Sequence, residues 1–176
     1  MHQLLLLRHA KSAWDDPALS DHARPLNARG RRAAAAMAAA MRGLGLRPGL
    51  VLVSSSRRTL QTLETLGTLE GPPRVDPMDD LYLAPWTRLL EVLREVPEAV
   101  GSVLLIAHNP GLHDLALSLA GDGGRDGAGV PESLAAAYPT AALAEFALSG
   151  PWASLAPGGA RLVRFLQPGD LPELTA

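Results

Sequence analysis

Three short apolar runs recur along the chain, and each one stops abruptly at polar or chargeable side chains. The runs Leu4–Leu7, Val51–Val53 and Val103–Ala107 have the length and uniform apolarity of strands that are buried on both faces of a parallel sheet. They are followed by Arg8-His9, by Ser54-Ser55-Ser56-Arg57-Arg58 and by His108-Asn109. Because open α/β sheets bind ligands beyond the carboxyl ends of their strands, the pattern predicts a pocket for an anion at that edge.

The segments between these runs have helical patterns, which predicts an α/β fold whose mostly parallel sheet is covered by helices on both faces. Asn27 is expected to cap a helix over residues 28–42 that ends at Gly43 and Gly45. Further helices are expected at 57–69, 87–96 and 110–121, further strands at 74–76, 141–148 and 160–165, and loops at 14–26, 77–85 and beyond Gln167. The last two strands are expected to pair across the turn-rich segment 149–159.

The glycine-rich segment 121–129 looks at first like a phosphate-binding loop. It lacks the Gly-Lys-Ser/Thr ending of a P-loop and does not follow a strand. It is therefore predicted to be a flexible surface loop.

Composition narrows the class of protein. A length of 176 residues suits one domain over residues 1–176, and a formal charge of −2 argues against a nucleic-acid partner or a membrane surface. The absence of cysteine excludes disulfides, thiolate nucleophiles and cysteine metal sites. No apolar stretch is long enough for a membrane span and no targeting segment precedes the first strand, so a cytoplasmic location is expected.

The polar segments that follow the strands, taken in order, carry a family resemblance. The matching motifs are Arg8-His9-Ala10-Lys11-Ser12, Asp21-His22-Ala23-Arg24-Pro25-Leu26 with Gly30, Ser54–Thr62, His108-Asn109-Pro110-Gly111 and Pro139-Thr140-Ala141-Ala142. Together they resemble the histidine phosphatase (phosphoglycerate-mutase-like) superfamily, and within it the short SixA-type phosphohistidine phosphatases. The resemblance implies a three-layer α/β/α fold. It also implies a metal-independent phosphatase that forms a phosphohistidine enzyme intermediate and needs no cofactor.

The resemblance further implies roles for particular residues. His9 is the expected nucleophile, and the expected phosphate clamp consists of Arg8, Arg58 and His108. The residue types suit these roles, because a neutral imidazole can attack phosphorus and a guanidinium donates two parallel hydrogen bonds to phosphate oxygens. His108 is expected to be protonated by its anionic surroundings.

Arg57 and Arg58 are adjacent, and the resemblance distinguishes between them. The family arginine stands three residues before a glutamine, here Gln61, which selects Arg58 over Arg57.

Relatives use a carboxylate after the third strand to protonate the leaving group, and by position this role falls to Asp80, with Asp79 as the alternative. A turn carboxylate without a catalytic role is the other interpretation of Asp80. A phosphohistidine substrate has less need of a strong acid, because imidazole leaves more readily than an alkoxide.

Arg24 and Ser12 are expected to contact the phosphate as well. The alternative interpretations are that Arg24 pairs with Asp21 within the loop and that Ser12 caps the loop. No metal is predicted, because no two histidines stand at the spacing of metal ligands.

Three functions remain open at this point. The first is dephosphorylation of phosphohistidine on a protein partner such as a phosphotransfer domain, with inorganic phosphate as product. The second is hydrolysis of a small phosphate ester, and the third is phosphate recognition without turnover. The chain has no large insertion that would form a lid, which favours an open pocket for a protein-borne phosphate, and the presence of His9 favours catalysis.

Overall fold

The computed structural model describes residues 1–121 and 129–172, which contain a six-stranded sheet with helices on both faces. The strands are β1 (His2–Arg8), β2 (Leu50–Ser54), β3 (Arg74–Met78), β4 (Ser102–Ala107), β5 (Leu143–Leu148) and β6 (Ala160–Leu166). The helices are α1 (Ala28–Gly43), α2 (Arg57–Leu66), α3 (Trp86–Arg94), α4 (Gly111–Ala120) and α5 (Glu132–Ala136). The predicted α/β class is confirmed.

The strands follow the order β3-β2-β4-β1-β5-β6 across the sheet. The first four strands in that order are parallel, whereas β5 runs antiparallel to β1 and β6 runs antiparallel to β5. The predicted mostly parallel sheet and the predicted pairing of the last two strands are therefore confirmed.

β1 lies in the interior of the sheet, and alternate side chains of its leucine run enter opposite hydrophobic layers. Leu4 and Leu6 pack into the layer that contains α3 and α4, while Leu5 and Leu7 pack into the layer that contains α1 and α2. All four leucines are fully buried, since a parallel strand that is covered on both faces has no polar side. The result is a three-layer α/β/α arrangement.

The chain connections leave a crevice beside β1 and β4. The chain leaves β1 through α1 toward β2 on one face of the sheet, and it leaves β4 through α4 toward β5 on the other face. Because the two connections diverge, the carboxyl ends of β1 and β4 stay uncovered, and this is where open α/β sheets bind ligands. Arg8, His9 and His108 stand at these two ends.

Several boundaries differ from the predicted ones. α2 ends at Leu66 rather than at residue 69, because Gly67 adopts a φ of 72°, in the left-handed region that terminates helices. The predicted loop 77–85 begins inside β3 and contains a one-turn 3₁₀ helix at Asp79–Leu81. The short helix α5 and a one-turn 3₁₀ helix in the tail, Pro168–Asp170, were not expected.

In the part of the chain that the structure describes, no helix is both long and apolar enough to cross a membrane. Residues 122–128, within the segment predicted to be a flexible loop, lie outside the described residues. The single domain over residues 1–176 and the cytoplasmic location stay predictions.

The start of α1 is held against the segment that follows β1. Asn27 caps the helix as predicted, because its side chain accepts a hydrogen bond from the Gly30 amide at 2.8 Å. The Asn27 amide donates to the Lys11 carbonyl oxygen at 3.0 Å. A Cβ atom on Gly30 would stand 2.1 Å from that same carbonyl oxygen, so the close approach requires glycine.

Gly30→Ala is expected to lower the free energy of unfolding by about 2 kcal/mol, since the Lys11 backbone must move aside. Gly43→Ala is the control on the same helix, because a Cβ there meets nothing within 4 Å. This control is expected to change the stability by less than about 1 kcal/mol. Urea unfolding followed by circular dichroism measures both variants, and equal transition midpoints would contradict the close contact at Gly30.

Candidate active site

His9 follows β1 directly and is only 7% exposed. Its Nδ1 lies 2.7 Å from the carbonyl oxygen of Ala10, which can only accept, so Nδ1 carries the proton and Nε2 keeps its lone pair. Burial lowers the pKa of His9 to about 3, and the nearby charges of Arg58, Arg8 and Arg24 add to this, while the hydrogen bond to Ala10 opposes it. His9 is therefore a neutral imidazole with an available lone pair on Nε2.

Arg58 lies in the first turn of α2 and is 3% exposed. Its guanidinium spans two imidazole rings: Nε donates to His9 Nε2 at 3.4 Å, and Nη2 donates to His108 Nδ1 at 3.3 Å. The same group holds Asp21, with Nη1 donating to the backbone carbonyl at 2.7 Å and Nη2 to the carboxylate at 3.1 Å. The neighbouring Arg57 is exposed. Of the two adjacent arginines, Arg58 is the one in contact with both histidines.

His108 follows β4 and is 2% exposed. Its Nδ1 accepts from Arg58, a group that only donates, so Nε2 carries the proton and donates to Ser54 Oγ at 2.7 Å. Burial, and then the neighbouring His9 and Arg58, lower the pKa of His108 to about 3. The expectation of a protonated His108 is therefore wrong for this arrangement, because the groups around the ring are mainly cationic rather than anionic.

Arg8 and Arg24 complete a ring of cations. Arg8 Nη1 donates to the Tyr138 carbonyl oxygen at 3.0 Å, and its buried Nε has no acceptor among the described residues. Arg24 Nη1 donates to Ser12 Oγ at 2.6 Å, and its guanidinium lies 3.5 Å from the ring centre of Trp14. A buried N–H group without an acceptor is rare in folded proteins, and an oxygen of a bound phosphate would satisfy that of Arg8.

Asp21 is the carboxylate of the site, although the sequence analysis gave it only as a partner of Arg24. Its Oδ1 accepts from Arg24 at 2.9 Å, and its Oδ2 accepts from Arg58 and from the Tyr82 hydroxyl. These hydrogen bonds, that of Tyr82 above all, hold the pKa of Asp21 well below its usual range. Tyr82 also packs edge-on against His108, and no pattern in the sequence signals this tyrosine.

Two consecutive residues of α2 fix the helix against the strand ends. Thr62 Oγ1 donates to the Arg58 carbonyl oxygen at 2.7 Å and accepts from the Ala10 amide at 3.0 Å. Gln61 Oε1 accepts from the Leu26 amide at 2.8 Å. The Gln-Thr pair of the sequence motif therefore has a positioning role, because it joins α2 to the loops that follow β1.

A cavity of about 280 Å³ opens at the carboxyl ends of β1 and β4. It is lined by Arg8, His9, Lys11, Ser12, Trp14, Asp21, Arg24, Arg58, Leu83, His108, Asn109 and Thr140. Four of these side chains are cationic and one is a carboxylate, so the cavity attracts anions. The structure thus brings together every residue that the sequence proposed for the site except Asp80.

Asp80 lies on the 3₁₀ helix after β3, away from the cavity lining. Its exposed carboxylate accepts a hydrogen bond from Arg88 Nη2 at 2.6 Å, and Asp79 beside it is exposed as well. Among the described residues that line the cavity, Asp21 is the one carboxylate. Over residues 1–121 and 129–172, no three His, Asp or Glu side chains are grouped so that they could hold a metal ion.

Arg58→Lys is expected to weaken the binding of inorganic phosphate at least about tenfold, because an ammonium group cannot make the forked contact that joins both rings. Arg57→Lys is the matched control and is expected to leave the dissociation constant within about twofold, since Arg57 is exposed. Isothermal titration calorimetry with phosphate measures both variants. An equal loss in the two variants would show that this guanidinium does not form the anion site.

Comparisons with known sequences show the family to which the chain belongs. The family model of the histidine phosphatase superfamily (branch 1) matches residues 4–101, which include His9 and Arg58. The uncharacterized protein Rv1276c of Mycobacterium tuberculosis (strain ATCC 25618 / H37Rv) is 36% identical over 162 residues, which make up 92% of this chain and 99% of that protein. The phosphohistidine phosphatase SixA of Escherichia coli (strain K12) is 35% identical over 115 residues, 61% of this chain and 68% of SixA.

Solved structures of similar fold indicate the same family. A candidate phosphohistidine phosphatase SixA from Nakamurella multipartitia superposes with a TM-score of 0.82 at 29% identity, over 95% of this chain and 96% of that one. The protein histidine phosphatase SixA complexed with tungstate superposes with a TM-score of 0.76 at 27% identity, over 96% of this chain and 98% of that one. Sequence and fold together show that the chain belongs to the histidine phosphatase superfamily (branch 1) and is a phosphatase.

Proposed function

We propose that the chain dephosphorylates phosphohistidine on a signalling or phosphotransfer protein through a covalent intermediate on His9. The observation that carries the proposal is the neutral His9 ring, whose Nε2 lone pair lies 3.4 Å from Arg58 Nε inside a cationic cavity. In the first step Nε2 attacks phosphorus, the N–P bond of the substrate breaks and an Nε2–P bond forms. In the second step water attacks phosphorus, the Nε2–P bond breaks and inorganic phosphate leaves.

The clamp around the transferred phosphoryl group follows from the same geometry. Arg58 can keep its Nη1 on the Asp21 backbone while Nε and Nη2, which face the two rings, bind phosphoryl oxygens. Arg8 contributes its buried Nε–H. Negative charge brought next to His108 Nδ1 favours protonation of that ring, so His108 becomes a charged part of the clamp when substrate binds.

The acids that are present support phosphohistidine as the substrate. Asp21 is held ionised by its hydrogen bonds, and Asp80 is paired with Arg88 outside the cavity. In a phosphohistidine the second ring nitrogen can carry a proton, so the ring departs as neutral imidazole without a donor from the enzyme. An alkyl phosphate ester needs such a donor, because an alkoxide is a poor leaving group. The site therefore favours phosphohistidine.

The rim of the cavity favours a phosphate carried by a protein. Trp14 and Leu83 line the cavity and are 73% and 53% exposed, although both are large and apolar. Leu83 has a φ of 50°, a backbone conformation that costs energy for a leucine. Exposed apolar side chains around a polar cavity suit a protein surface better than a small diffusible ester. The similarity to SixA proteins supports the same substrate class, and the cytoplasm is the location proposed for the reaction.

The test measures phosphate release from a phosphotransfer protein phosphorylated on histidine and from p-nitrophenyl phosphate. The unmodified chain is expected to act faster on the phosphoprotein. His9→Ala is expected to lower both activities at least about a thousandfold, because it removes the nucleophile. Asp80→Asn is the matched control and is expected to keep both within about threefold, because it changes only an exposed ion pair.

Three outcomes would contradict parts of the proposal. Release from the small ester alone would make the chain a small-molecule phosphatase. Release from neither substrate, with phosphate binding retained, would make it a phosphate-recognition module. A loss of about a hundredfold in Asp80→Asn would contradict the placement of Asp80 in an exposed ion pair outside the site.

A further inference from the structure

A group of cationic side chains beside the catalytic cavity has no partner within the described parts of the chain. Lys11, Arg29, Arg31 and Arg32 are exposed, and their side chains make no ion pair or hydrogen bond with any described residue. Most other surface arginines donate to a carboxylate or a carbonyl oxygen of the chain. These arginines are Arg42, Arg47, Arg74, Arg88, Arg94 and Arg164. Among the described residues Arg161 is one more exposed arginine without such an acceptor, but the other four cations lie at the start of α1 and at Lys11, whose backbone contacts that helix start.

Two of these cations, Lys11 and Arg29, line a second cavity that adjoins the first. The second cavity has a volume of about 490 Å³, and Lys11 and Thr140 line both cavities. Arg29 lines it from α1, and residues 167–170 line it from the segment after β6. Asp170 is the one carboxylate among the described lining residues, so the cavity carries a net positive charge. Arg32 follows Arg29 by three residues and lies on the same side of the helix.

The fold itself gains nothing from these charges. The first turn of α1 has no acidic residue, and cationic side chains near the start of a helix oppose the helix dipole and destabilise the helix. An anion from outside the chain would remove this unfavourable interaction. We call Lys11, Arg29 and Arg32 the cationic rim.

We propose that the cationic rim binds acidic side chains that stand close to the phosphohistidine of a protein substrate, an inference that rests on the proposed function. A phosphoryl group bound at His9 lies in the first cavity, and the substrate surface around it extends toward the second cavity, because the two share Lys11 and Thr140. A membrane or a nucleic acid fits less well, since the chain as a whole carries a charge of −2.

The rim acts on recognition rather than on the chemical step. Exposed charges at the edge of an interface mainly change the association rate and its dependence on salt. The effect of the rim is therefore expected in kcat/KM for substrates with acidic neighbours, and it is expected to shrink as the ionic strength rises. A small ester that occupies the first cavity alone is expected to be indifferent to the rim.

The experiment compares two short phosphohistidine peptides that differ only in having glutamates or glutamines on both sides of the phosphohistidine. The unmodified chain is expected to prefer the glutamate peptide about tenfold in kcat/KM at low salt. The double variant Arg29→Glu, Arg32→Glu is expected to abolish this preference and to leave p-nitrophenyl phosphate hydrolysis within about twofold. Glutamate suits the start of a helix, so the variant is expected to fold.

Arg161→Glu is the matched control. Arg161 is another exposed arginine, but it lies on β6 and lines a different cavity, together with Met1. This variant is expected to keep the preference for the glutamate peptide.

Equal rates on both peptides by the unmodified chain would overturn the inference and leave the proposed function standing. An unchanged preference in the double variant, or its loss in Arg161→Glu, would overturn the inference as well. Hydrolysis of p-nitrophenyl phosphate with turnover of neither peptide would overturn the proposed function and, with it, the inference.

Discussion

The burial of two imidazole rings against one guanidinium sets the charge of the two histidines at the centre of the site. Arg58 lies between His9 and His108 and cannot release its proton, so neither ring can be protonated without placing like charges side by side. Burial is the larger cause, the charge of Arg58 adds to it, and together they lower the pKa of both histidines to about 3. The protein therefore holds a neutral imidazole within a cluster of fixed positive charge, which is the combination that the proposed attack on a phosphate dianion requires.

Such a cluster can form here because the fold supplies its counter-charge and its rigidity. Asp21 bonds to both Arg24 and Arg58, so part of the repulsion between the two guanidinium groups is offset within the loop. Thr62 and Gln61 join α2 to the segments after β1, and glycine at position 30 lets α1 approach the same segment closely. The parallel strands β1 and β4, which helices cover on both faces, place Arg8, His9 and His108 at one crevice. The chemistry depends on packing that is remote from the reacting atoms.

The parts of this structure that the sequence predicted are those with a local signal. The apolar runs marked the buried strands, Asn27 marked the start of α1, and the polar residues after each strand marked the edge at which the ligand binds. Contacts between distant segments left no such signal. Tyr82 reaches Asp21 across the cavity mouth, and Asp80 turns to Arg88, because the course of the loop after β3 depends on tertiary packing. His108 was predicted to be protonated and is neutral for the same reason, since its neighbours come from several distant segments.

Neutral histidines also couple the site to the stability of the fold. Both rings have a lower pKa in the folded chain than the ordinary value of 6.5, so below that pH the unfolded chain binds more protons. The stabilising contribution of the two rings is complete above pH 6.5 and is lost progressively as the pH falls toward 3.

The most direct test of the account is a long-range ¹H–¹⁵N NMR titration of the histidine rings in the protein without substrate. The account predicts that His9 is neutral, carries its proton on Nδ1 and shows no titration between pH 8 and about pH 5. A His9 ring protonated on Nε2, or one that titrates near pH 6.5, would show that the lone pair is not available for attack on phosphorus and would contradict the account.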